Sequence, residues 1–292
     1  MPTDLLAFCC AALVAAVLCT PRARGRHRRA HVRLRFAPYR TDQATAEHVV
    51  AMLEGLHRRV STRWPRRLWA GQPAVALEVH WLVRDGAPSE AVLAVCCAPS
   101  LRAGIESAVR TAYPSACLEP YDAPGLVTGA MVRLRKRRSF IHPLALPGTD
   151  DEVPRGVERL LTAMSASREA CVVQLALTPA PSVVEGYGRW LLGQHERRLS
   201  DRRSRGDDRP PRDRSEAEHR SLQAALAVQR RPLFAADIRV AAQTRAGCEA
   251  VADALRAEGG ENELVVRGFG RASRRLWRLC ARGEGEALGA GD

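Results

Sequence analysis

Apolar and polar residues alternate early in the chain with the two periods that are typical of strands and helices. Val32 to Phe36 alternates with period two, which predicts a strand with one solvent-facing side. Apolar residues recur at three- and four-residue steps from Ala46 to Trp64, which predicts an amphipathic helix facing a core. Pro65 is expected to end that helix. The opening of the chain therefore predicts a strand followed by a helix.

A hairpin, a second helix and a short strand are predicted next. Val75 to Trp81 alternates again, Arg84 to Pro88 supplies turn residues, and an apolar run extends from Ala91 to Cys97. Apolar spacing from Leu101 to Ala112 predicts the helix, and Cys117 to Tyr121 the last strand. The order strand, helix, strand, strand, helix, strand predicts a split βαβ, ferredoxin-like unit with two helices on one face of an antiparallel sheet.

The letters of the chain indicate a second copy of this unit. Val132-Arg133-Leu134-Arg135 repeats Val32-Arg33-Leu34-Arg35, and Arg245-Ala246-Gly247-Cys248-Glu249 echoes Arg102-Ala103-Gly104-Ile105-Glu106. The first echo falls on strand one of each copy and the second on the start of helix two. More residues separate the second segment from its repeat than separate the first segment from its repeat. This difference predicts an insertion in copy two at about residues 182–232.

The insertion is predicted to be a helical hairpin. Val183 to Leu199 and Ser215 to Arg230 read as helices, and the mixed-charge stretch Asp201 to Arg214 between them contains Pro210-Pro211 and is expected to be its tip. Such an arm is typical of contact with a partner or a neighbouring subunit, and a solvated spacer is the alternative.

The predicted fold class is α+β, with two tandem ferredoxin-like (split βαβ) units after an N-terminal apolar helix. The expected domains are residues 1–30, an N-terminal membrane anchor and basic linker; residues 31–122, the first unit; residues 130–267, the second unit with its insertion; and residues 268–292, a basic tail.

The apolar run Leu5 to Cys19 predicts a single-pass anchor in the cell membrane. Its 15 residues are fewer than the ~20 that comfortably span a bilayer, and a signal peptide is the competing interpretation. The preceding segment carries Asp4 and no basic residue, which argues against a signal peptide. Basic residues from Arg22 to Arg29 follow at once, which places the bulk of the chain in the cytoplasm.

The net charge of +13 and a pI near 10.2 are concentrated in two places. Residues 22–40 hold eight Arg and no acid, and residues 133–138 hold four Arg and the single Lys of the chain. The second cluster is a candidate phosphate-facing, nucleic-acid-binding patch. The alternative is a solvated edge strand protected by its charge. Its residues are Arg133, Arg135, Lys136, Arg137 and Arg138.

Motifs that would carry catalysis are missing from the sequence. No glycine precedes Lys136 in the pattern of a phosphate-binding loop, and no second His follows His195-Glu196 at zinc-protease spacing. The nine cysteines include no CxxC pair, and we interpret them as small buried residues of a reducing compartment. The sequence predicts a protein that is not an enzyme, with no catalytic, cofactor-binding or metal-binding residue and no cofactor.

Several segments resemble one known family. Val32 to Phe36, the stretch Trp64 to Pro73 leading into Val75, and the helix end Ala108 to Pro114 resemble the region before the motor in actinobacterial conjugative-transfer ATPases. These are the coupling-protein-like, FtsK/HerA-like members of type IV secretion systems. The second copy with its insertion is similar as well, so the resemblance covers nearly the whole chain.

The resemblance implies a membrane-anchored, non-enzymatic accessory or adaptor protein of conjugative DNA transfer. Asp292 lies about where the family's ATPase domain would begin, so the expected partner is a separately encoded FtsK/HerA-like ATPase or another secretion-channel protein. DNA is a further candidate partner. The two RAG-x-E helices and the hairpin are the expected docking surfaces. The alternatives are a nucleic-acid-binding module that uses the basic strand and tail residues, or a truncated remnant of a longer motor protein.

Overall fold

One antiparallel β-sheet organises the protein in the computed structural model. The model describes residues 31–37, 46–62, 73–84, 86–122, 129–137, 152–180, 182–204, 222–227, 231–257, 263–271 and 286–289. Eight strands lie side by side, and a further strand pairs with one of them. The predicted α+β class is confirmed at this level.

The elements of the first half are β1 (Val32–Ala37), α1 (Ala46–Val60), β2 (Val75–Arg84), β3 (Ala87–Cys97), a 3₁₀ turn (Pro99–Leu101), α2 (Arg102–Ala112) and β4 (Cys117–Pro120). Those of the second half are β5 (Ala130–Lys136), α3 (Glu152–Ala166), β6 (Cys171–Pro179), α4 (Ser182–Ser204), a short helical segment at residues 222–227, β7 (Leu233–Ala242), α5 (Arg245–Arg256), β8 (Leu264–Arg271) and β9 (Glu286–Gly289).

The two halves of the chain share the sheet through strands β2 and β6. The strand order is β4-β1-β3-β2-β6-β7-β5-β8, and β9 pairs with the start of β7. Val75 lies opposite Leu177 and Trp81 lies opposite Cys171, so seven residue pairs run continuously across the junction. Antiparallel pairing therefore joins the halves continuously from Val75 to Trp81.

Helices α1, α2, α3 and α5 pack on the same face of the sheet, which we call the helix face. Leu56 and Ile105 of the first helix pair are fully buried against Val75 and Leu177. Met164 of α3 and Val251 of α5 are buried in a second apolar cluster at the other ends of the strands. Because side chains alternate along a strand, the remaining strand residues point to the opposite face.

Helix α4, which we call the arm, packs on the rest of the protein through one side. Its first turn contacts Ala180 and Leu233 through Val184, and Leu192 packs on the helical segment 222–227. The predicted helix Val183 to Leu199 is confirmed, and α4 continues into the stretch expected to be the tip. Of the predicted second helix, residues 222–227 are helical and the rest lies outside the described residues.

Two sequence expectations change with the sheet order. Strand β5 lies between β7 and β8, so the interpretation of residues 133–138 as a solvated edge strand is wrong. The second unit, predicted to end at residue 267, closes with a strand that runs on to Arg271, because the last residues of this strand pair with the start of β5.

The predicted membrane anchor, residues 5–19, and the basic linker lie outside the described residues. Within the described ranges, no helix is both long and apolar enough to cross a bilayer.

Candidate functional site: a buried polar network across the sheet

Charged and polar side chains cross the centre of the sheet on the face opposite the four packed helices, which we call the polar face. Glu78 and His80 of β2, Gln174 of β6, and Asp237 and Arg239 of β7 are all at most 8% exposed. Pairing places Glu78 opposite Gln174 and Gln174 opposite Arg239 in one transverse row. Buried groups of this kind need partners, and here they partner one another.

Glu78 is the centre of the first half of this network. Its Oε2 accepts hydrogen bonds from Arg33 Nε and His80 Nε2, both at 2.8 Å, and its Oε1 accepts one from Gln174 Nε2 at 2.7 Å. The Glu78 side chain is fully buried and that of Arg33 is 11% exposed. This carboxylate therefore exchanges water for three protein donors.

Gln174 carries the network across the junction between the halves. Its amide nitrogen faces the Glu78 carboxylate, and its Oε1 accepts a hydrogen bond from Arg239 Nη1 at 3.1 Å. Arg239 also donates to Asp237, which accepts from Arg133 Nε of β5 at 3.0 Å. A connected chain of hydrogen bonds thus extends from β1 to β5.

The network fixes the ionisation of Glu78. Burial alone would raise the pKa of this carboxyl, but the hydrogen bond from His80 and the charge of Arg33 outweigh it and hold the pKa at about 2. Burial would lower the pKa of Arg33, and the Glu78 carboxylate reverses this, so its pKa is raised. Both groups therefore stay charged at neutral pH.

A histidine, a tyrosine and a cysteine surround the Arg33–Glu78 pair. The Tyr121 ring packs edge-on against His80 with centroids 5.4 Å apart, and the His31 ring lies within 3.4 Å of Arg33. Burial and the neighbouring Glu78 raise the pKa of the Cys96 thiol and of the Tyr121 phenol. A thiol in this state is a weak nucleophile, because the thiolate is the reactive form.

Stability is expected to depend on pH through Glu78. Its pKa is about 2 in the folded protein against an ordinary value of 4.5, so its contribution is complete above pH 4.5 and is lost as the pH falls towards 2. Denaturant unfolding of the wild type and of Glu78→Gln is measured from pH 4.5 down to pH 2. The free energy of unfolding should fall by more kcal/mol in the wild type than in the variant. Parallel pH profiles of the two proteins would contradict this assignment.

The five basic residues singled out in the sequence do not form one surface. Arg133 pairs with Asp237 and Arg135 is exposed, whereas Lys136 is 2% exposed. Arg137 pairs with Glu263 at 2.9 Å, and Arg138 lies outside the described residues. Strand alternation sends Lys136 to the face opposite Arg133 and Arg135.

The sequence interpretation missed Gln174, Asp237 and Arg239. The alternation of Val32 to Phe36 predicted one solvent-facing side of this strand, and Arg33 and Arg35 lie on that side. Arg35 is exposed, but Arg33 is only 11% exposed because it pairs with the buried Glu78. A usable signal was present, because a polar residue inside an apolar strand, such as Gln174, is typical of a buried hydrogen bond.

Within the described part of the chain, no group of three or more His, Cys, Asp or Glu side chains is arranged to hold a metal ion. In comparisons with known proteins, no protein-family model and no curated protein matches the sequence.

Proposed function

We propose that the chain is a membrane-anchored, non-enzymatic adaptor of conjugative DNA transfer, built from two ferredoxin-like units that dock on a separately encoded FtsK/HerA-like ATPase. Residues 5–19 anchor it in the cell membrane, and the bulk of the chain is cytoplasmic. Docking on another protein of the secretion channel is the same function with a different direct partner.

The order of strands in each half supports the assignment of two ferredoxin-like units. The first half has the order β4-β1-β3-β2, and the second half has the corresponding order β8-β5-β7-β6. Each half places two helices on the same face of the sheet. A split βαβ unit has this order and this layering.

The observation that carries the docking proposal is a duplicated surface at the start of α2 and α5. Arg102 Nε donates to Glu106 Oε1 at 2.8 Å, and Arg245 Nε donates to Glu249 Oε1 at 2.9 Å. These side chains are 26–69% exposed, and exposed pairs of this kind add little to stability. Two similar polar surfaces on one side of a shared sheet suit a partner that presents repeated subunits, as a motor ring does.

Co-purification tests the proposal directly. The full chain and a tagged FtsK/HerA-like ATPase from the same gene cluster are co-expressed, and the retained fraction is compared between the wild type and the double variant Arg102→Ser, Arg245→Ser. We expect retention of the wild type and a loss of about tenfold in the variant, the effect of removing roughly 1.4 kcal/mol of contacts. The thermal midpoint should stay within a few degrees, because each i,i+4 pair contributes only about 0.3–0.5 kcal/mol.

Arg58→Ser is the matched control. Arg58 forms an i,i+4 pair with Glu54 on α1 and is 76% exposed, but α1 carries no RAG-x-E motif. It should leave retention unchanged. No retention of the wild-type chain by the ATPase would contradict the adaptor function, and equal losses in the control and the double variant would contradict the docking surface.

A further inference from the structure

Two aromatic side chains on the arm are exposed and stacked on each other. Tyr187 and Trp190 of α4 are 51% and 57% exposed, and their ring centroids lie 5.8 Å apart with an angle of 20° between the ring planes. Among the described residues, they are the exposed large hydrophobic side chains that carry an aromatic ring. Together they form an aromatic stack that is exposed to solvent.

Helical spacing separates this stack from the packed side of α4. Gly188 and Leu192 are buried, and Leu192 packs against Leu222 and Ala225 of the helical segment 222–227. Tyr187 and Trp190 are three residues apart and lie on the other side of the helix. The opposite side of α4 therefore packs on the protein, while Tyr187 and Trp190 face solvent.

The same stripe continues with polar residues rather than apolar ones. Gln194 and Arg197 follow Trp190 at a four-residue and then a three-residue step, and Arg197 is exposed about 10 Å along the helix from Trp190. A coiled-coil partner packs on a continuous row of apolar residues, and this stripe has none beyond Trp190. The acidic side chains of Glu185 and Glu196 fall on the other side of the helix by the same spacing.

We propose that the stripe of Tyr187, Trp190, Gln194 and Arg197 is a base-stacking site for single-stranded nucleic acid. Unpaired bases stack on aromatic rings whatever their sequence, and a guanidinium beyond the rings neutralises a backbone phosphate. Helix α4 itself carries five Arg and three acidic residues, and this local excess of positive charge favours the approach of a polyanion. Bases in a duplex are already stacked on both faces, so a single strand fits this surface better. The site goes beyond the adaptor function and does not depend on it.

Fluorescence anisotropy with the full chain tests this site. The probes are labelled oligothymidylate, oligouridylate and a DNA duplex, titrated with the wild type, Tyr187→Ala, Trp190→Ala and Trp190→Phe. We expect both alanine variants to bind single strands roughly 5- to 100-fold more weakly, since a stacked base contributes about 1–3 kcal/mol. Trp190→Phe keeps a ring and should retain most of the affinity. A tighter complex with either single strand assigns the site to DNA or to RNA.

Salt dependence separates stacking from charge. Arg197→Ser should reduce the slope of log affinity against log salt by about 0.7 for one phosphate of a single strand, whereas the aromatic variants should leave the slope unchanged. Val157→Ala, at an exposed apolar residue of α3 far along the chain from the arm, is the control and should bind as the wild type does.

Three results would overturn the proposal. They are wild-type affinity in both alanine variants, equal affinity of the wild type for duplex and single strands, and a loss of self-association in the alanine variants without any change in nucleic-acid binding. Both aromatic side chains are more than half exposed, so their truncation should leave the circular dichroism spectrum and thermal midpoint unchanged. If nucleic-acid binding does not depend on these side chains but the ATPase still retains the chain, only the base-stacking site is contradicted and the adaptor function is not.

Discussion

Glu78→Gln is expected to lower the free energy of unfolding by about 3–5 kcal/mol, as removal of one partner from a buried ion pair does. The substitution keeps the size of the side chain but removes the negative charge that faces Arg33 Nε at 2.8 Å. It also puts an amide donor among groups that already donate, because His80 and Gln174 both point N–H groups at the carboxylate. Denaturant unfolding measures the change.

Glu90→Gln is the matched control on the same face. Glu90 accepts from Arg35 at 2.6 Å and pairs with Arg84 at 3.1 Å, but its side chain is 30% exposed. Exposed ion pairs contribute at most about 1 kcal/mol, so this variant should be nearly as stable as the wild type. Similar losses in Glu78→Gln and Glu90→Gln would show that burial of the network adds nothing.

A second variant tests whether the lost stability comes from the unpaired Arg33. If it does, Arg33→Met should cost much less in the Glu78→Gln background than in the wild type, because the buried charge is then gone. Additive losses would point instead to the other two donors to Glu78.

Local patterns predicted most of the elements because their signal lies within a few residues of sequence. The period-two run at Val32 gives β1, and the three- and four-residue spacing from Ala46 gives α1, although that helix ends at Val60 rather than at Trp64. The echoes of sequence placed Val132 on a strand and Arg245 at the start of a helix, and both placements are confirmed.

The joining of the halves could not be predicted from these patterns. Pairing of β2 with β6 connects residues about a hundred positions apart. Alternation within a strand shows which of its side chains share a face, but it does not show which other strand lies beside it. The burial of Glu78 follows from that pairing, since Gln174 reaches it only across the β2–β6 junction. The edge-strand alternative for residues 133–138 is wrong as well, because β8 pairs with β5 on the side away from β7.

The echoed glycines show that repeated letters need not have repeated roles. Gly104 and Gly247 occupy the same position in the first turns of α2 and α5. A Cβ at Gly104 would lie 3.6 Å from the Arg59 side chain, an ordinary contact. A Cβ at Gly247 would overlap Glu169 Oε1, so the carboxylate would have to move.

Gly247→Ala is therefore expected to cost about 2–3 kcal/mol, the sum of a lost helix cap and a poorly satisfied buried carboxylate. Thr244 caps α5 by accepting from Gly247 N at 3.1 Å, and Glu169 in turn accepts from Thr244 N at 3.0 Å and from Thr244 Oγ1 at 2.9 Å. Displacing Glu169 removes both bonds that orient the cap. Thermal or urea unfolding of the full chain measures the change.

Gly104→Ala is the control that the repeat itself supplies, and it should be neutral or stabilising by up to about 1 kcal/mol, since alanine favours the helix. The clash at position 247 can also be isolated, because in a Glu169→Ala background the added methyl group has no carboxylate to displace. Gly247→Ala should then cost little more than Gly104→Ala does. If Gly247→Ala lowers the free energy of unfolding by the same amount in the Glu169→Ala background, the strain lies in the backbone of α5 rather than in the Glu169 contact. Equal losses for Gly104→Ala and Gly247→Ala in the wild-type background would show that the two glycines are equivalent.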